Sequence, residues 1–207
     1  MIINCWQKYG KNNLEANVSA LYIGLVHYPI YNKREEIVTT AITNFDIHDI
    51  ARTARTYDVK QYFVIHHIES QVNLAQEIID HWRNGYGSQY NPDRREAFRI
   101  LEICPSIEQA AAAVERQEGL KPFIVTTDAR KYANTISYPA MRQVISQGER
   151  PVLLLFGTGW GIEQAVMEQF DYILEPIYGP GDYNHLPVRS AVAIILDRLQ
   201  GEAWWQS

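Results

Sequence analysis

The chain has 207 residues, 46% hydrophobic and 21% charged, which suits one sizeable soluble core and leaves too little length for two large domains. Its 19 Lys and Arg against 24 Asp and Glu give a net charge of −5, which excludes a wholly basic surface that coats nucleic acid, though not a local basic patch. No apolar run approaches the roughly 20 residues that cross a bilayer, and the opening "MIINCWQKYGKNNLEANVSA" has no apolar signal core. Cys5 and Cys104 lie far apart and form no metal-ligand spacing. The expectation is a cytoplasmic protein with reduced thiols, no membrane and no metal.

Residues 1–20 read as an arm, 21–201 as a single domain and 202–207 as a tail, whose Trp204 and Trp205 are expected to pack on the body or on a partner subunit. "ALYIGLVHY" predicts a strand, and "DIHDIARTARTYDV" a helix with Ile47, Ile50, Ala51 and Ala54 on one face. "QYFVIHHI" is a second strand. In it, alternation sends His66 and His67 to opposite faces and argues against a joint metal site. "QVNLAQEIIDHWR" is amphipathic, carrying Val72, Ala75, Ile78, Ile79 and Trp82. The polar stretch "RNGYGSQYNPDRRE", Arg83 to Glu96, reads as an exposed loop, either a substrate loop or plain surface. "AFRILEIC" is a third strand.

Ser106 and Gln109 form a capping box for "SIEQAAAAVERQEG", which stops at Gly119. "PFIVTTDA" is a fourth strand, followed by the helix "YPAMRQVISQG", with Pro139 in its first turn and Gly148 as its stop. "VLLLFG" and "DYILEPI" complete the strands. The last helix, "PVRSAVAIILDRL", has Val188, Ala191, Val192, Ile195, Leu196 and Leu199 at core spacing. Strand and helix alternate through about six units with short connections. The fold class is therefore α/β, a mostly parallel sheet of about six strands with helices on both faces.

Two glycine loops stand at the ends of the last two strands. In "LLLFGTGWGIEQAV" the glycines are Gly157, Gly159 and Gly161; in "LEPIYGPGDYNHLPVRSAVAIIL" they are Gly179 and Gly181. A dinucleotide fingerprint is one reading of the first loop, with Glu175 at the right distance to hold a ribose hydroxyl. Against it, the spacing is Gly-x-Gly-x-Gly, and only one helix follows Glu175, too little to complete a half-domain. A plain tight turn is another reading. Both loops open on the carboxyl edge of a parallel sheet and lead toward helices, so together they can enclose one flat polar ligand, such as an adenine ring.

Three segments together resemble the SPOUT class of S-adenosylmethionine-dependent RNA methyltransferases. "DIHDIARTARTYDV" is similar to its first motif, with Arg52 as the "ARTA" arginine; "LLLFGTGWGI" is similar to its second; "IYGPGDYNHLPVRSAVAIIL" is similar to its third. The resemblance covers Leu21 to Gly201 and extends to a small bacterial group of predicted RNA methyltransferases that share the ending "YNHLxVRSAVxIILDRL". It implies a trefoil knot in the late part of the chain, S-adenosylmethionine as cofactor, structured RNA (tRNA or rRNA) as substrate, and a twofold homodimer with Arg52 reaching across.

The resemblance also implies site residues. The methionine part of the cofactor is placed against the backbone from Phe156 and Gly157 through Thr158, Gly159 and Trp160 to Gly161. The adenine is placed among Ile177, Gly179, Leu186, Val188 and Ala191, and Thr126, Thr127 and Asp128 close the third side. Asp182 and His185 are candidates for proton handling, and Arg52 and Arg189 for holding a phosphate or a base edge. Blander roles stand beside these: a solvated Arg52, a His185 that caps the last helix, an Arg189 that braces a carboxylate such as Asp182. Lys33, Arg34, Arg83, Arg94 and Arg95 form either an RNA-facing patch or scattered surface charge. Pro187 and Arg189 stand where the 2′-O-methylating branch has asparagine and serine, and Asp46 where it has asparagine, which leaves a base nitrogen or another acceptor open. A non-catalytic cofactor- or RNA-binding regulator and a nucleotide-dependent oxidoreductase are the alternative functions. Gly159→Val is expected to fill the ligand's space with little loss of fold.

Overall fold

The computed structural model describes residues 18–202. Most of the expected arm, and all of the expected tail beyond Glu202, including both tryptophans, lie outside the described residues, as does Cys5.

The unbroken run without polar residues along β1 (Leu21–Val26) explains why it sits mid-sheet, buried on both faces. Leu21, Ile23 and Leu25 enter one hydrophobic cluster, while Tyr22 and Val26 enter another on the opposite face. Every residue of β1 is buried, as is all of β8 (Val152–Gly157) except its terminal glycine. The remaining sheet strands are β4 (Gln61–Ile65), β5 (Leu101–Cys104), β6 (Phe123–Thr127), β7 (Thr135–Ile136) and β9 (Tyr172–Leu174). They order β5-β4-β1-β8-β6-β9-β7, with every pairing parallel.

One face is covered by α1 (Asn44–Thr56), α2 (Glu69–Arg83), α6 (Tyr138–Gln147) and α8 (Val188–Gln200). The other is covered by α5 (Ile107–Glu118) and the segment around Met167 and Phe170. Local signals set the boundaries. Ser106 Oγ accepts from the Gln109 N–H at 3.3 Å, and α5 ends on Gly119 at φ 74°, a left-handed position that favours glycine. Ser137 caps α6, Pro139 stands in its first turn, and Gly148 ends it at φ 66°.

The structure departs from the sequence reading in four places. Arg83–Glu96 is not a loop: it holds the end of α2, then α3 (Tyr86–Tyr90) and α4 (Pro92–Phe98), where Asn91 caps α4 by accepting from the Arg94 N–H at 2.9 Å. Asn-Pro, which reads as a turn, is here an N-cap followed by proline at the first helical position. The "AFR" of the third strand accordingly belongs to helix α4 and the turn after it, with Ala97 and Phe98 buried. A short antiparallel hairpin, β2 (Ile30–Tyr31) with β3 (Ile37–Val38), fills the connection between β1 and α1, and β7 makes a seventh sheet strand. Finally, the first glycine loop leads only into a single turn, α7 (Gln164–Met167).

Candidate functional site

A cavity of about 790 Å³ opens at the carboxyl ends of β6, β8 and β9, within the range of about 300–1,000 Å³ common for small-molecule sites. Four segments distant in sequence build its walls. β8 runs out through Phe156 into Gly157, Thr158, Gly159, Trp160 and Gly161. β6 contributes Thr127, then Asp128, Ala129 and Arg130. The chain after β9 contributes Glu175, Pro176 and Ile177, then Asn184 through Val188, with Ala191 and Ile195 from α8. The approach to α1 adds Thr40, Ala41, Thr43 and Asp46.

The first glycine loop has a backbone that few side chains tolerate, with Gly159 at φ 53° and Gly161 at φ 97°. The β2–β3 hairpin grips it from behind. The Trp160 N–H donates to the Tyr31 carbonyl at 3.1 Å, and the Tyr31 N–H donates to the Gly161 carbonyl at 2.9 Å. A Cβ on Gly159 would lie 3.0 Å from Ile30 Cγ2 and 3.2 Å from the Tyr31 carbonyl. Valine there therefore collides with the hairpin instead of filling ligand space, and the expected clean loss of binding is corrected to a loss of loop structure.

The opposite wall is tied to the late loop. Asn184 Nδ2 donates to the Ala129 carbonyl at 2.8 Å, joining the segment before α8 to the turn after β6. Asp128, whose side chain is 5% exposed, accepts from Arg130 Nε at 3.0 Å. Glu175 accepts from the Tyr138 N–H at 2.9 Å. His185 is exposed on the cavity wall, edge-on to Tyr183 at 5.7 Å, and does not cap α8, whose N-cap is Pro187 with no side-chain bond.

Five of the residues singled out by sequence do not line the cavity. Thr126 is fully buried and donates to the Leu155 carbonyl at 3.4 Å. Gly179 and Asp182 lie on the exposed part of the late loop, and a Cβ on Gly179 would meet nothing within 4 Å. Arg52 is exposed on α1. Arg189 turns from the cavity to pair with Asp46 at 3.1 Å and Asp49 at 3.3 Å, its guanidinium 5.5 Å from the Phe45 ring. It therefore braces a carboxylate, and that carboxylate is Asp46, not Asp182.

Of the scattered basic residues, Arg83 donates to the carbonyls of Phe98 (2.8 Å) and Leu101, and Arg94 stacks over Trp82 at 4.5 Å. Both brace the helices. His66 and His67 lie past the end of β4, so strand alternation does not separate them; their rings are 5.9 Å apart. Among the described residues no group of three or more His, Cys, Asp or Glu is able to hold a metal.

Sequence reasoning did not place Thr40, Ala41 and Thr43 in the site, nor Ala129, Arg130, Pro176, Asn184 and Ile195, and it noted Asp46 only as a departure from a motif. The available signal was the Thr43 cap, which accepts from the Asp46 N–H at 3.2 Å and fixes where α1 begins.

These walls fit S-adenosylmethionine. Phe156, Ile177, Leu186, Val188 and Ala191 offer an apolar slot for a purine, and Asp128 and Glu175 offer carboxylates to hydroxyl or cationic groups. Gly157 and Gly161 form a cradle with little room for side chains: a Cβ on Gly157 would stand 3.1 Å from Ile162, and one on Gly161 would stand 3.3 Å from Asp128.

Residues 20–201 match the family described as SAM-dependent RNA methyltransferase, and the chain belongs to that family. A protein of Aquifex aeolicus, described only as uncharacterized, is 44% identical over 179 residues, 86% of this chain and 87% of its own. A tRNA (guanine-N(1)-)-methyltransferase of Oleidesulfovibrio alaskensis is 41% identical over 183 residues, 88% of this chain but 42% of that protein. The chain thus spans about two-fifths of that relative's length. The SpoU methyltransferase AviRb of Streptomyces viridochromogenes, solved with AdoMet, shares the fold with a TM-score of 0.52 at 16% identity, over 88% of this chain and 59% of that one. The sheet and its flanking helices share the fold of that SpoU methyltransferase, and S-adenosylmethionine is the cofactor of the family to which the chain belongs.

Proposed function

We propose that the chain transfers a methyl group from S-adenosylmethionine to a nucleotide of a structured tRNA or rRNA. The observation that carries this reading is the cavity, whose walls come from all three of the segments that resemble SPOUT motifs, at one sheet edge. The tRNA methyltransferase relative supports a tRNA substrate. Its N1-guanine specificity belongs to a protein more than twice as long, so the acceptor atom here remains any base nitrogen or other group able to lose a proton.

When bound, the cofactor supplies an electrophilic methyl on a sulfonium. The chain's own work is then alignment, which carries most of the rate in an in-line displacement. In this reading Gly157 to Gly161 hold the methionine end by their backbone, and Ile177, Leu186, Val188 and Ala191 seat the adenine. Thr127 and Asp128 close the third side, with Thr126 and Gly179 shaping the chain behind them. His185, on the cavity wall, accepts the acceptor's proton, and Asp182 supports it from the outer loop. Arg52 contacts phosphate from its exposed position on α1.

The proposal includes a single domain over 21–201 between an arm and a tail. It includes a trefoil knot, supported by β9 lying between β6 and β7, the two strands that the 128–134 loop joins, and by the Asn184 bond to that loop. It includes a homodimer, supported by exposed Phe45 (67%) and Leu74 (46%) beside a groove of about 820 Å³ along α1 and α2. The proposed compartment is the cytoplasm, where tRNA and rRNA are met; no described helix is long and apolar enough to cross a membrane. Calorimetric titration tests the cofactor: S-adenosylmethionine is expected to bind and NAD not, and the reverse order contradicts the reading.

A further inference from the structure

We propose that His27 is a positioning residue of the cofactor site, which sets the first glycine loop through Thr40 and Thr158 by holding a single neutral tautomer. The inference rests on the S-adenosylmethionine reading of the cavity. His27 follows β1 directly and is fully buried, as is its neighbour His66 (1% exposed) beyond β4, their ring centroids 5.3 Å apart. Neither ring touches the cavity. Thr40 and Thr158, which do line it, stand between the rings and the glycine loop.

Hydrogen-bond direction fixes the proton. The Thr158 hydroxyl donates to the Val26 carbonyl at 3.0 Å, which uses its one hydrogen. The contact between Thr40 Oγ1 and Thr158 Oγ1, at 2.5 Å, must then have Thr40 as donor. Thr40 has no second hydrogen, so at its 2.9 Å contact with His27 Nδ1 it accepts, and His27 carries its proton on Nδ1. The chain therefore runs one way: His27 Nδ1–H to Thr40, Thr40 to Thr158, Thr158 to Val26.

The surroundings leave this arrangement no alternative. His66 Nδ1 accepts from the Ile68 N–H at 3.1 Å, so its Nε2–H donates to the Thr40 carbonyl at 3.0 Å. The Thr40 N–H donates to the His27 carbonyl at 3.0 Å. Thr40 is thus held at its nitrogen, its carbonyl and its hydroxyl, and its methyl group lies 3.4 Å from where a Cβ of Gly159 would stand. His27 Nε2 is buried with no partner among the described residues, an acceptor left over once Nδ1 is committed as donor. A ring kept only for packing has no need of that cost, because an apolar side chain of similar shape would avoid it.

Two substitutions separate the roles of the ring nitrogens. The amide nitrogen of asparagine lies as many bonds from Cα as His Nδ1, whereas that of glutamine corresponds to Nε2. His27→Asn therefore keeps the donor to Thr40 and His27→Gln loses it. Binding of S-adenosylhomocysteine is measured by calorimetry, with the melting temperature of each variant recorded. His27→Asn is expected to stay within about threefold of the parent, and His27→Gln and Thr40→Val to weaken binding by about tenfold, the scale of one lost hydrogen bond. Equal affinity of parent, Gln and Asn variants overturns the inference, and so does equal weakening in both His27 variants. A parent that does not bind S-adenosylhomocysteine overturns the cofactor reading beneath it. Should a variant not fold, ¹⁵N spectra of the parent read the tautomer directly: a protonated Nδ1 and a bare Nε2 at His27 are expected, and a protonated Nε2 overturns the proposal.

Discussion

Arg189 in the first turn of α8 and Asp46 in the first turn of α1 form one ion pair at 3.1 Å, across 143 residues of sequence. Both positions depart from the pattern of the 2′-O-methylating branch, and the structure makes the two departures a single feature. Asp46 is the buried member, its side chain 9% exposed, with a second oxygen accepting from Thr43 Oγ1 at 2.6 Å; Arg189 is 38% exposed.

Removing only the arginine leaves a buried carboxylate under-satisfied, while replacing both members removes the problem with the pair. Arg189→Ala is therefore expected to cost about 1–2 kcal/mol, the low end for a broken pair because solvent screens the exposed guanidinium. The double variant Asp46→Asn, Arg189→Ala is expected to recover most of that loss. Urea denaturation of the four proteins in the cycle measures the coupling. Additive losses would mean that the pair contributes nothing beyond its separate members.

Burial lowers His27 from its ordinary 6.5 to about 4, with His66 adding to the effect and the Thr40 contact opposing it. Between those values the unfolded chain binds a proton that the folded chain does not. Stability from this group is thus complete above about pH 6.5 and is lost as pH falls toward about 4. The shift corresponds to about 3 kcal/mol over that window. Denaturation curves at stepped pH check it: His27→Asn should flatten the dependence, and an unchanged slope in that variant would assign it to other groups.

Leu186 replaces Gly159 as the clean probe of the proposed adenine slot. It lines the cavity and is 41% exposed, so shortening it disturbs no core. Leu186→Ala is expected to weaken S-adenosylmethionine binding by up to about tenfold through lost apolar contact, with the melting temperature unchanged. Unchanged affinity would move the adenine elsewhere.

Asn184→Ala tests the bond between the late loop and the turn after β6. With a single 2.8 Å bond to the Ala129 carbonyl removed, cofactor binding should weaken by about threefold to tenfold. The fold should hold, because Asn184 is only half-buried in an irregular segment. A large fall in melting temperature would instead make that bond part of the core.

Element order was legible where local periodicity or capping expressed it. The apolar run of β1, the Ser106 cap, Pro139 in the first turn of α6 and the glycine stops at Gly119 and Gly148 all act within a few residues. The helices over Arg83–Glu96 were not legible, because Asn91-Pro92 is compatible with both a turn and a capped helix start, and burial of Ala97 and Phe98 decides between them. The glycine loop announced one wall of the cavity, but the hairpin behind it was not legible, since two-residue strands carry no period. The partner of Arg189 lies too far along the chain for spacing to reveal, and the order of the His27 chain follows from hydrogen-bond direction, which only the assembled fold displays.

Methyl transfer to RNA is measured directly with methyl-labelled S-adenosylmethionine and unmodified tRNA and rRNA transcribed in vitro. Label is expected in one of these RNA classes, released by nuclease as a methylated nucleotide and reduced for Leu186→Ala at limiting cofactor. A protein that binds the cofactor tightly yet labels neither RNA class would contradict methyl transfer to RNA.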